Sequence, residues 1–498
     1  SMGILMTFKY DNVGLMDFQR VDELHDIGYN RTISMMDSIK SRIHRRVNLD
    51  NIRLRRMVYR SNYPELRFKN IIIDGANTQQ QAYIKKEFHK SDNKEFSYED
   101  LKQGYFRLLS DNMISEIIPH AIYNPEDDTY DLHLKVKLEN NFAVRLGGNI
   151  STSNSNQIYL GLSYQDLNYY AKEFVFDGQL GKVYNNAQFM AKIDFSTAIP
   201  TSYRFIASIS TFDYFKKDKL FSRNDKPAFN QKDERFLKLQ VGLPFLSSKR
   251  AEFGIGIARI EDKYFQKSVI DFGNDKFDKS RYDLFGGSIS FNGSTLNSRQ
   301  YPTRGYREAL IAQIFIGRER FYPGEGATGN NNKEHHSWLQ LSYMKEKYHN
   351  MSEHWVLGWY LKALYASKNF SENYTATMMQ AGEFSPTQHS KLTYNEAFRA
   401  NQFVGAGIRP IYRLNQMFHL RGEFYGFMPI YPIERNSLNK AYYGKAFSKF
   451  ECLGEISVVC QLPFGDISAY VNHYSSPKRE WNVGLSIGWQ LFNYRFIE

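Results

Sequence analysis

From Asn140 to the end of the chain, apolar residues recur at every second position in one segment after another. Ile158, Leu160, Leu162 and Tyr164 set the pattern, Ala187, Phe189, Ala191, Ile193 and Phe195 repeat it, and Leu237, Leu239, Val241, Leu243 and Phe245 extend it. The alternation returns in Trp355, Leu357, Trp359 and Leu361, in Phe418, Leu420, Gly422 and Phe424, and in Val483, Leu485, Ile487, Trp489 and Leu491. Gly, Ser, Gln, Lys, Arg or Asp fill the positions between. Period two marks a strand with one apolar and one polar face. Almost everything beyond Asn140 is therefore expected to be β.

Two architectures take such strands, a large soluble sandwich, such as a carbohydrate-binding protein, and a membrane barrel. Composition alone leaves both open, and loop length together with aromatic content favours the barrel. Aromatic residues make up 16% of the chain, with 35 Tyr and 38 Phe, yet the mean hydropathy is −0.53. A barrel with a polar lumen and aromatic girdles around its lipid band combines those two properties. Long polar stretches such as "FKKDKLFSRNDKPAFNQKDER" and "GEGATGNNNKEHH" read as its loops. At about 22 residues per strand with its loop, roughly 360 residues make about 16 strands, an even number as bacterial barrels favour. The fold expected is mostly β, a transmembrane antiparallel β-barrel over residues 139–498. No run approaches the roughly 18 consecutive apolar residues of a membrane helix.

Ahead of the barrel the period changes. Over residues 66–138, "LRFKNIIIDG" is a strand closed by a turn, "NTQQQAYIKKEF" a helix beginning at Asn77 or Thr78, and "SYEDLKQGYFRLLS" a second helix with Ser97 as cap and Asp100 three residues on. Two strands follow around the "NPEDD" turn, and Tyr130, Leu132, Leu134, Val136 and Leu138 alternate strictly. This is a small α+β unit of order β-α-α-β-β. Residues 1–47 read as a short strand, "GILMTF", and a helix with Phe18, Val21, Leu24, Ile27, Ile33, Met36 and Ile39 at helical spacing. So short an α/β piece cannot bury a core alone, and it is expected to be the end of a domain. The first residues carry neither a basic region nor a leader-length apolar stretch, whereas an exported barrel needs a leader; the expectation is a true start upstream.

The formal charge of +11 is partly local. Arg42, Arg45, Arg46, Arg53, Arg55, Arg56 and Arg60 crowd one stretch, so residues 48–65 read as a solvated basic linker, and no nucleic-acid partner is expected. Cys452 and Cys460 are eight positions apart on one expected strand, roughly 26 Å at about 3.3 Å per residue, too far to bridge. His335 and His336 would face opposite ways on a strand, and a solvated loop explains them without a metal. Asp127 and Asp128 sit in a turn beside Pro125. No phosphate loop, nucleotide fingerprint or zinc spacing is present, so no cofactor, metal or catalytic residue is expected.

"FKNIIIDGANTQQQAYIKKEF", "FSYEDLKQGYFRLL" and "YDLHLKVK", placed immediately before a long barrel, resemble a polypeptide-transport-associated (POTRA) domain of the bacterial surface antigen superfamily, which includes outer-membrane insertases and two-partner secretion transporters. "LNSRQYPTRGYREALIAQIFI" is similar to that family's Pro-x-x-Gly turn running into a barrel strand, with Pro302 and Gly305 at the two positions. "GILMTFKYDNVGLMDFQRVDELHDIGYNRTISMMDSI" resembles the closing strand and helix of patatin-like phospholipases that carry a POTRA domain and barrel behind the lipase. The patatin nucleophile belongs to Gly-x-Ser-x-Gly, which this sequence lacks. Asp74-Gly75-Ala76 matches the catalytic Asp segment by letters only, inside the POTRA-like unit. Insertases and transporters also carry an Arg-Gly-aromatic motif on a late lumen loop. Arg304-Gly305-Tyr306 lies too early for it, and the late loop "QAGEFSPTQHSKLTYNEAFRANQF" has none; Glu396 and Arg399 remain as candidates for lumen contacts.

The resemblance implies a bacterial outer-membrane barrel with a periplasmic POTRA domain, anchoring and translocating a patatin-like passenger, at the meeting point of protein transport and lipid metabolism. Two other readings stand beside it, the non-catalytic half of a phospholipase and a polypeptide translocase or insertase. Expected partners are outer-membrane lipid, the barrel assembly machinery reading the C-terminal strand, and a peptide or protein strand at the POTRA edge. Gly75, Pro302 and Gly305 are expected to be structural.

Overall fold

The computed structural model describes residues 6–8, 21–42, 48–61, 66–88, 95–152, 156–195, 199–214, 230–246, 249–266, 276–325, 327, 331–476 and 481–498. Three helices come first, α1 (Val21–Ser34), α2 (Met36–Arg42) and α3 (Leu49–Ser61). Neither α2 nor α3 has a buried residue, and Ile27, Ile33, Leu54, Met57 and Val58 stand exposed. The stretch expected as a basic linker is thus helical over Leu49–Ser61. The helical part contains no Gly or Pro, Leu and Arg favour helix, and Asn48 Oδ1 accepts the Asp50 N–H at 2.9 Å where it begins. Residues 62–65, Arg45, Arg46, Phe18 and the first half of "GILMTF" lie outside the described residues, and Met6–Phe8 is irregular.

The α+β unit comprises β1 (Arg67–Asp74), α4 (Thr78–Phe88), β2 (Phe96–Ser97), α5 (Tyr98–Leu109), β3 (Ile114–Asn124) and β4 (Thr129–Leu138). Its sheet order is β2-β1-β4-β3, with β1 parallel to β4. A bulge between Phe68 and Ile71 keeps both on the buried face with Ile73. They pack with Leu132, Leu134 and Val136 of β4, Ile84 and Phe88 of α4, and Leu108 of α5. Asn77 Oδ1 caps α4 by accepting the Gln79 and Gln80 N–H groups, each at 3.0 Å. Ser97 and Asp100 form a reciprocal capping box on α5. The Tyr83 hydroxyl donates to Asp111 at 2.9 Å, and burial pushes its pKa well above the usual phenol range, so it stays a donor. Asp74 is an exposed residue at the end of β1. The next residue, Gly75, has φ +88, and a Cβ there would lie 2.1 Å from the Val136 carbonyl oxygen.

The barrel begins with β5 (Phe142–Ser151), β6 (Gln157–Leu167), β7 (Ala171–Gly181), β8 (Tyr184–Phe195) and β9 (Thr201–Asp213). Five longer strands follow, β10 (Asn230–Phe245), β11 (Lys249–Tyr264), β12 (Asp278–Ser294), β13 (Gly305–Tyr322) and β14 (Asn332–Asn350). The wall ends with β15 (Trp355–Ala366), β16 (Gln402–Arg413), β17 (Phe418–Pro429), β18 (Glu451–Cys460), β19 (Asp466–Tyr474) and β20 (Trp481–Gly488). Each pairs antiparallel with its neighbours, and β20 returns to β5, closing sixteen strands. Leu167 and Ala171, at the β6–β7 turn, join the core of the α+β unit, so that end of the barrel is the one the unit meets.

Outward positions are apolar and exposed, for example Leu237, Leu239, Ile255, Ile257, Phe285, Ile314 and Ile316, while Lys238, Gln240, Gln313 and Gln340 point inward and are buried. Near the unit the outer wall carries aromatic pairs, Tyr170 with Phe195 at 4.7 Å, Phe245 with Phe291 at 5.1 Å and Trp355 with Tyr412 at 5.0 Å between centroids. Leu237 to Phe245 runs roughly 26 Å along β10 at about 3.3 Å per residue, or about 20 Å of height at a tilt of about 40°. An apolar wall of that extent is stable against hydrocarbon, not water.

Three expectations change. "NQKDER" and "NKEHH", read as loop, are the starts of β10 and β14; the ladder continues after the apolar alternation stops. His335 and His336 accordingly lie on a strand, the first exposed and the second buried. The closing strand, expected over Val483–Leu491, ends at Gly488. Cys452 and Cys460 are both on β18 and both free.

The chain should require detergent for extraction and migrate faster on a denaturing gel before boiling than after; a chain soluble without detergent would contradict the barrel. Gly75→Val should destabilise the α+β unit by about 2 kcal/mol, read as faster proteolysis between residues 66 and 138 with the heat-modifiable migration unchanged.

Candidate functional site

The lumen is built from the positions that the apolar register skips. On β17, "HLRGEFYGF" sends Leu420 and Phe424 outward and Arg421, Glu423 and Tyr425 inward. Arg409 on β16 and Glu346 and Tyr348 on β14 face them. Arg409 pairs with Glu346 and donates to the Tyr425 hydroxyl at 2.6 Å. Arg421, 1% exposed, pairs with Glu423 and donates to the Tyr348 hydroxyl at 3.0 Å. Tyr425 in turn donates to Glu423. Two guanidiniums and two carboxylates thus neutralise each other inside the barrel, and planar forks are suited to holding several acceptors at once.

Each arginine keeps one donor for a segment that enters the lumen. Arg409 Nη2 donates to the Pro386 carbonyl at 3.2 Å, in the long connection between β15 and β16. Arg421 Nη1 donates to the Pro302 carbonyl at 2.8 Å, in the turn between β12 and β13 at the unit's end. The cluster therefore clamps an insertion from either end of the barrel. The long connection carries a short helix, α6 (Tyr374–Gln380), capped by Asn373, whose Nδ2 also donates to the Tyr264 hydroxyl at 2.7 Å. His389 Nδ1 lies 2.9 Å from Glu455, and its ring stacks on Tyr470. In the turn, Tyr301 is buried with its hydroxyl donating to Ser468 at 3.0 Å. Gly305 closes the turn at φ +91, where a Cβ would lie 2.1 Å from the Thr295 carbonyl oxygen.

Glu396 and Arg399 both lie on the long connection, and the structure gives them separate partners. Arg399 is buried, pairs with Glu383 at 2.9 Å and reaches the Met379 and Ala381 carbonyls. Glu396 accepts the Tyr374 hydroxyl at 3.4 Å. Arg399 thus braces the insertion internally, while Arg409 and Arg421 fasten insertions to the wall.

A third insertion follows β20. Residues 489–498 turn into the lumen, where Phe496 sits 5.9 Å from Phe236 and 5.7 Å from Phe315 between centroids. The Phe496 N–H donates to Glu234 at 2.7 Å and Gln313 Nε2 donates to the Phe496 carbonyl at 3.1 Å. The departure of this tail shortens the seam. β20 meets β5 through three ladder pairs, Ser486 with Ser151, Ile487 with Ile150 and Gly488 with Asn149, and Leu485 and Thr152 are hydrogen-bonded next to them. The Trp489 N–H donates to the Gly148 carbonyl at 2.7 Å. Below that point Phe142 to Gly147 pair with β6 on one side only. By contrast, β13 and β14 pair from Gly305 with Tyr348 to Phe321 with Asn332.

Among the described residues, Glu319, Glu334 and His336 are the group whose ligand atoms come within 4.8 Å of one another. His336 Nε2 is 2.9 Å from Glu319, which also accepts the Tyr282 hydroxyl at 3.0 Å, while Glu334 is exposed and 4.0 Å away. This arrangement is a buried hydrogen-bonded Glu–His pair with one carboxylate beside it.

Arg409, Arg421, Glu346 and Glu423 escaped the sequence reading, which followed the apolar register and passed over its complement. Arginine and glutamate two apart at inward positions of a barrel strand were the available signal. Replacing Arg421 with Met should leave Glu423 with fewer donors and free the Pro302 carbonyl. Breaking such a buried pair costs about 3–5 kcal/mol, so the temperature at which the compact gel band is lost should fall, and Arg421→Lys, lacking the fork, should not restore it.

No family model matches the chain, and neither does any curated protein. Solved structures do. BamA from Haemophilus ducreyi lacking POTRA domains 1–3 superposes with a TM-score of 0.57 at 12% identity, over 85% of this chain and 84% of that one. CdiB from Acinetobacter baumannii gives 0.48 at 9% identity over 85% and 74%, and CdiB from Escherichia coli 0.47 at 11% over 85% and 76%. With the register and closure above, the BamA match establishes the architecture of this chain as a sixteen-stranded barrel of that type.

Proposed function

We propose that the chain is a bacterial outer-membrane barrel of the insertase and translocase type, which receives a polypeptide strand at the seam between β5 and β20. The observation that carries this reading is the seam itself. It is the shortest junction in the wall, and Phe142 to Gly147 offer an edge with one neighbour. An unpaired edge is a template for strand addition. The filled lumen supports the same reading, because three insertions occupy the path a soluble cargo would take. The missing Arg-Gly-aromatic motif counts for less beside Arg409, a wall arginine that holds the late loop instead.

In this reading the α+β unit is a periplasmic POTRA domain, and β3, an edge strand with Ile118, Ile122 and Tyr123 exposed, is the edge that accepts a peptide. The second reading, an anchor for a patatin-like passenger, is favoured by the helices α2 and α3, which have no buried residue and leave Leu54, Met57 and Val58 exposed. Ester hydrolysis by the full gene product, lost when the serine of an upstream Gly-x-Ser-x-Gly is replaced, would support the passenger; neither motif nor hydrolysis would remove it.

Ile150 and Ile487 stand directly opposite across the seam. With Cys452 and Cys460 changed to Ser, the pair Ile150→Cys and Ile487→Cys should form a disulfide that blocks function under oxidising conditions and releases it with reductant. A cysteine at Leu146, on the unpaired edge, should crosslink to a client polypeptide. Full function with the seam locked, and no crosslinked client, would defeat the proposal.

A further inference from the structure

The outer face of β10 to β14 changes character in a single step at the end remote from the α+β unit. These strands are 16 to 19 residues long, and the extra length is not apolar. Leu237, Ile257, Phe285 and Ile316 form one row in register. Two residues further along each strand the row reads Arg235, Arg259, Asp283, Arg318 and His335. The next reads Asp233, Glu261, Arg281, Arg320 and Lys333, and beyond it Lys263 stands opposite Lys279.

Cations outnumber carboxylates in this band, and the carboxylates are shared. Asp283 takes Arg259 at 2.7 Å, Arg281 at 3.4 Å and Arg320 at 3.7 Å, Asp233 takes Lys263 at 3.0 Å, and Glu261 takes Lys279 at 3.0 Å. Arg235, Arg318 and Lys333 are exposed and have no carboxylate partner among the described residues. Arg235 faces Arg259, and Arg281 faces Arg320, across the ladder. Like charges directly opposite are destabilising, so the band is arranged to meet an external anion.

The wall beneath says which anion. A groove of about 860 Å³ opens on the lipid-facing side, lined by Ile193, Leu239, Phe253 and Ile314 with Gly287 and Ala312. Its size is that of a ligand cleft, about 300–1,000 Å³. Arg235 lies ten residues above Phe245, roughly 33 Å along the strand at about 3.3 Å per residue and about 25 Å in height, the thickness of a barrel's apolar band. An anion with hydrocarbon directly below its charge is a lipid.

We propose that this wall binds a phosphorylated glycolipid of the outer leaflet, its phosphates on Arg235, Arg259, Arg318 and Arg320 and its acyl chains in the groove. The proposal rests on the membrane orientation given above, with the α+β unit in the periplasm. Arginine forks match phosphate geometry, and the contact should weaken with salt.

Purified full chain in detergent, incubated with diphosphoryl lipid A, phosphatidylcholine or inorganic phosphate, is measured by native mass spectrometry. Lipid A should be retained and the other two not. The triple variant Arg235→Gln, Arg259→Gln, Arg318→Gln should retain at least about tenfold less, about 1.4 kcal/mol, while Lys347→Gln, an exposed charge at the other end of β14, should bind as the native chain does. Ala312→Leu, filling the groove, should weaken lipid A with the cations intact. Equal retention of phosphatidylcholine, retention of inorganic phosphate alone, or an unaffected triple variant each overturns the site. Heat-modifiable migration is recorded for every variant, so loss of the barrel, which would defeat the membrane reading itself, is distinguished from loss of the site.

Discussion

In hydrocarbon there is no water to satisfy a backbone amide, so every strand at membrane depth needs two neighbours. Among the described residues, the wall supplies them along every junction except the one between β20 and β5. The exception has a local cause. Gly488, at φ +112, turns the chain out of the wall, and a Cβ there would lie 2.2 Å from the Gly148 carbonyl oxygen. Gly148 on the facing strand has φ +147, and a Cβ would lie 2.2 Å from the Gln157 carbonyl oxygen. Two glycines in conformations closed to other residues therefore end the seam. They also send residues 489–498 into the lumen, so the short seam and the internal tail are one feature.

The lumen follows a second constraint. Charges taken out of water must be paired and their remaining donors used. Arg409 and Arg421 meet that demand with Glu346, Glu423 and two tyrosines, and spend their last donors on the Pro386 and Pro302 carbonyls. Segments that are far apart in sequence, one entering from each end, are thereby held against neighbouring strands. The tail touches the same assembly, since the Gln490 N–H donates to Gln300 Oε1 at 3.1 Å in the turn that carries Pro302. A strand arriving at the seam would meet β20, the tail and this turn in succession.

Much of the fold was legible because lipid imposes a simple code. Where hydrocarbon lies outside and polar groups inside, period two identifies strands, as in Leu237 to Phe245. The code fails where the outer environment changes. Above the apolar belt, outward positions of β10 and β14 hold Asp233, Arg235, Lys333 and His335, so both faces are polar and the strands read as loops. The helix Leu49–Ser61 was missed for a related reason, since its arginines suggested a solvated linker, and a solvated helix has the same composition.

Local chemistry in the sequence was sufficient to determine the alternating strands, the capped helices of the α+β unit and the turn glycines Gly75 and Gly305, because each depends on neighbours within a few residues or on one uniform solvent, whereas the exact number of strands waited for the closed barrel. The tertiary structure alone decided which inward charges meet, where the last strand leaves the wall, and which outward charges line up in rows. Those depend on register between strands, which brings Arg409 to Glu346 and Arg235 beside Arg259. Alternation constrains which face a residue occupies, whereas its neighbours on that face are chosen only when the barrel closes.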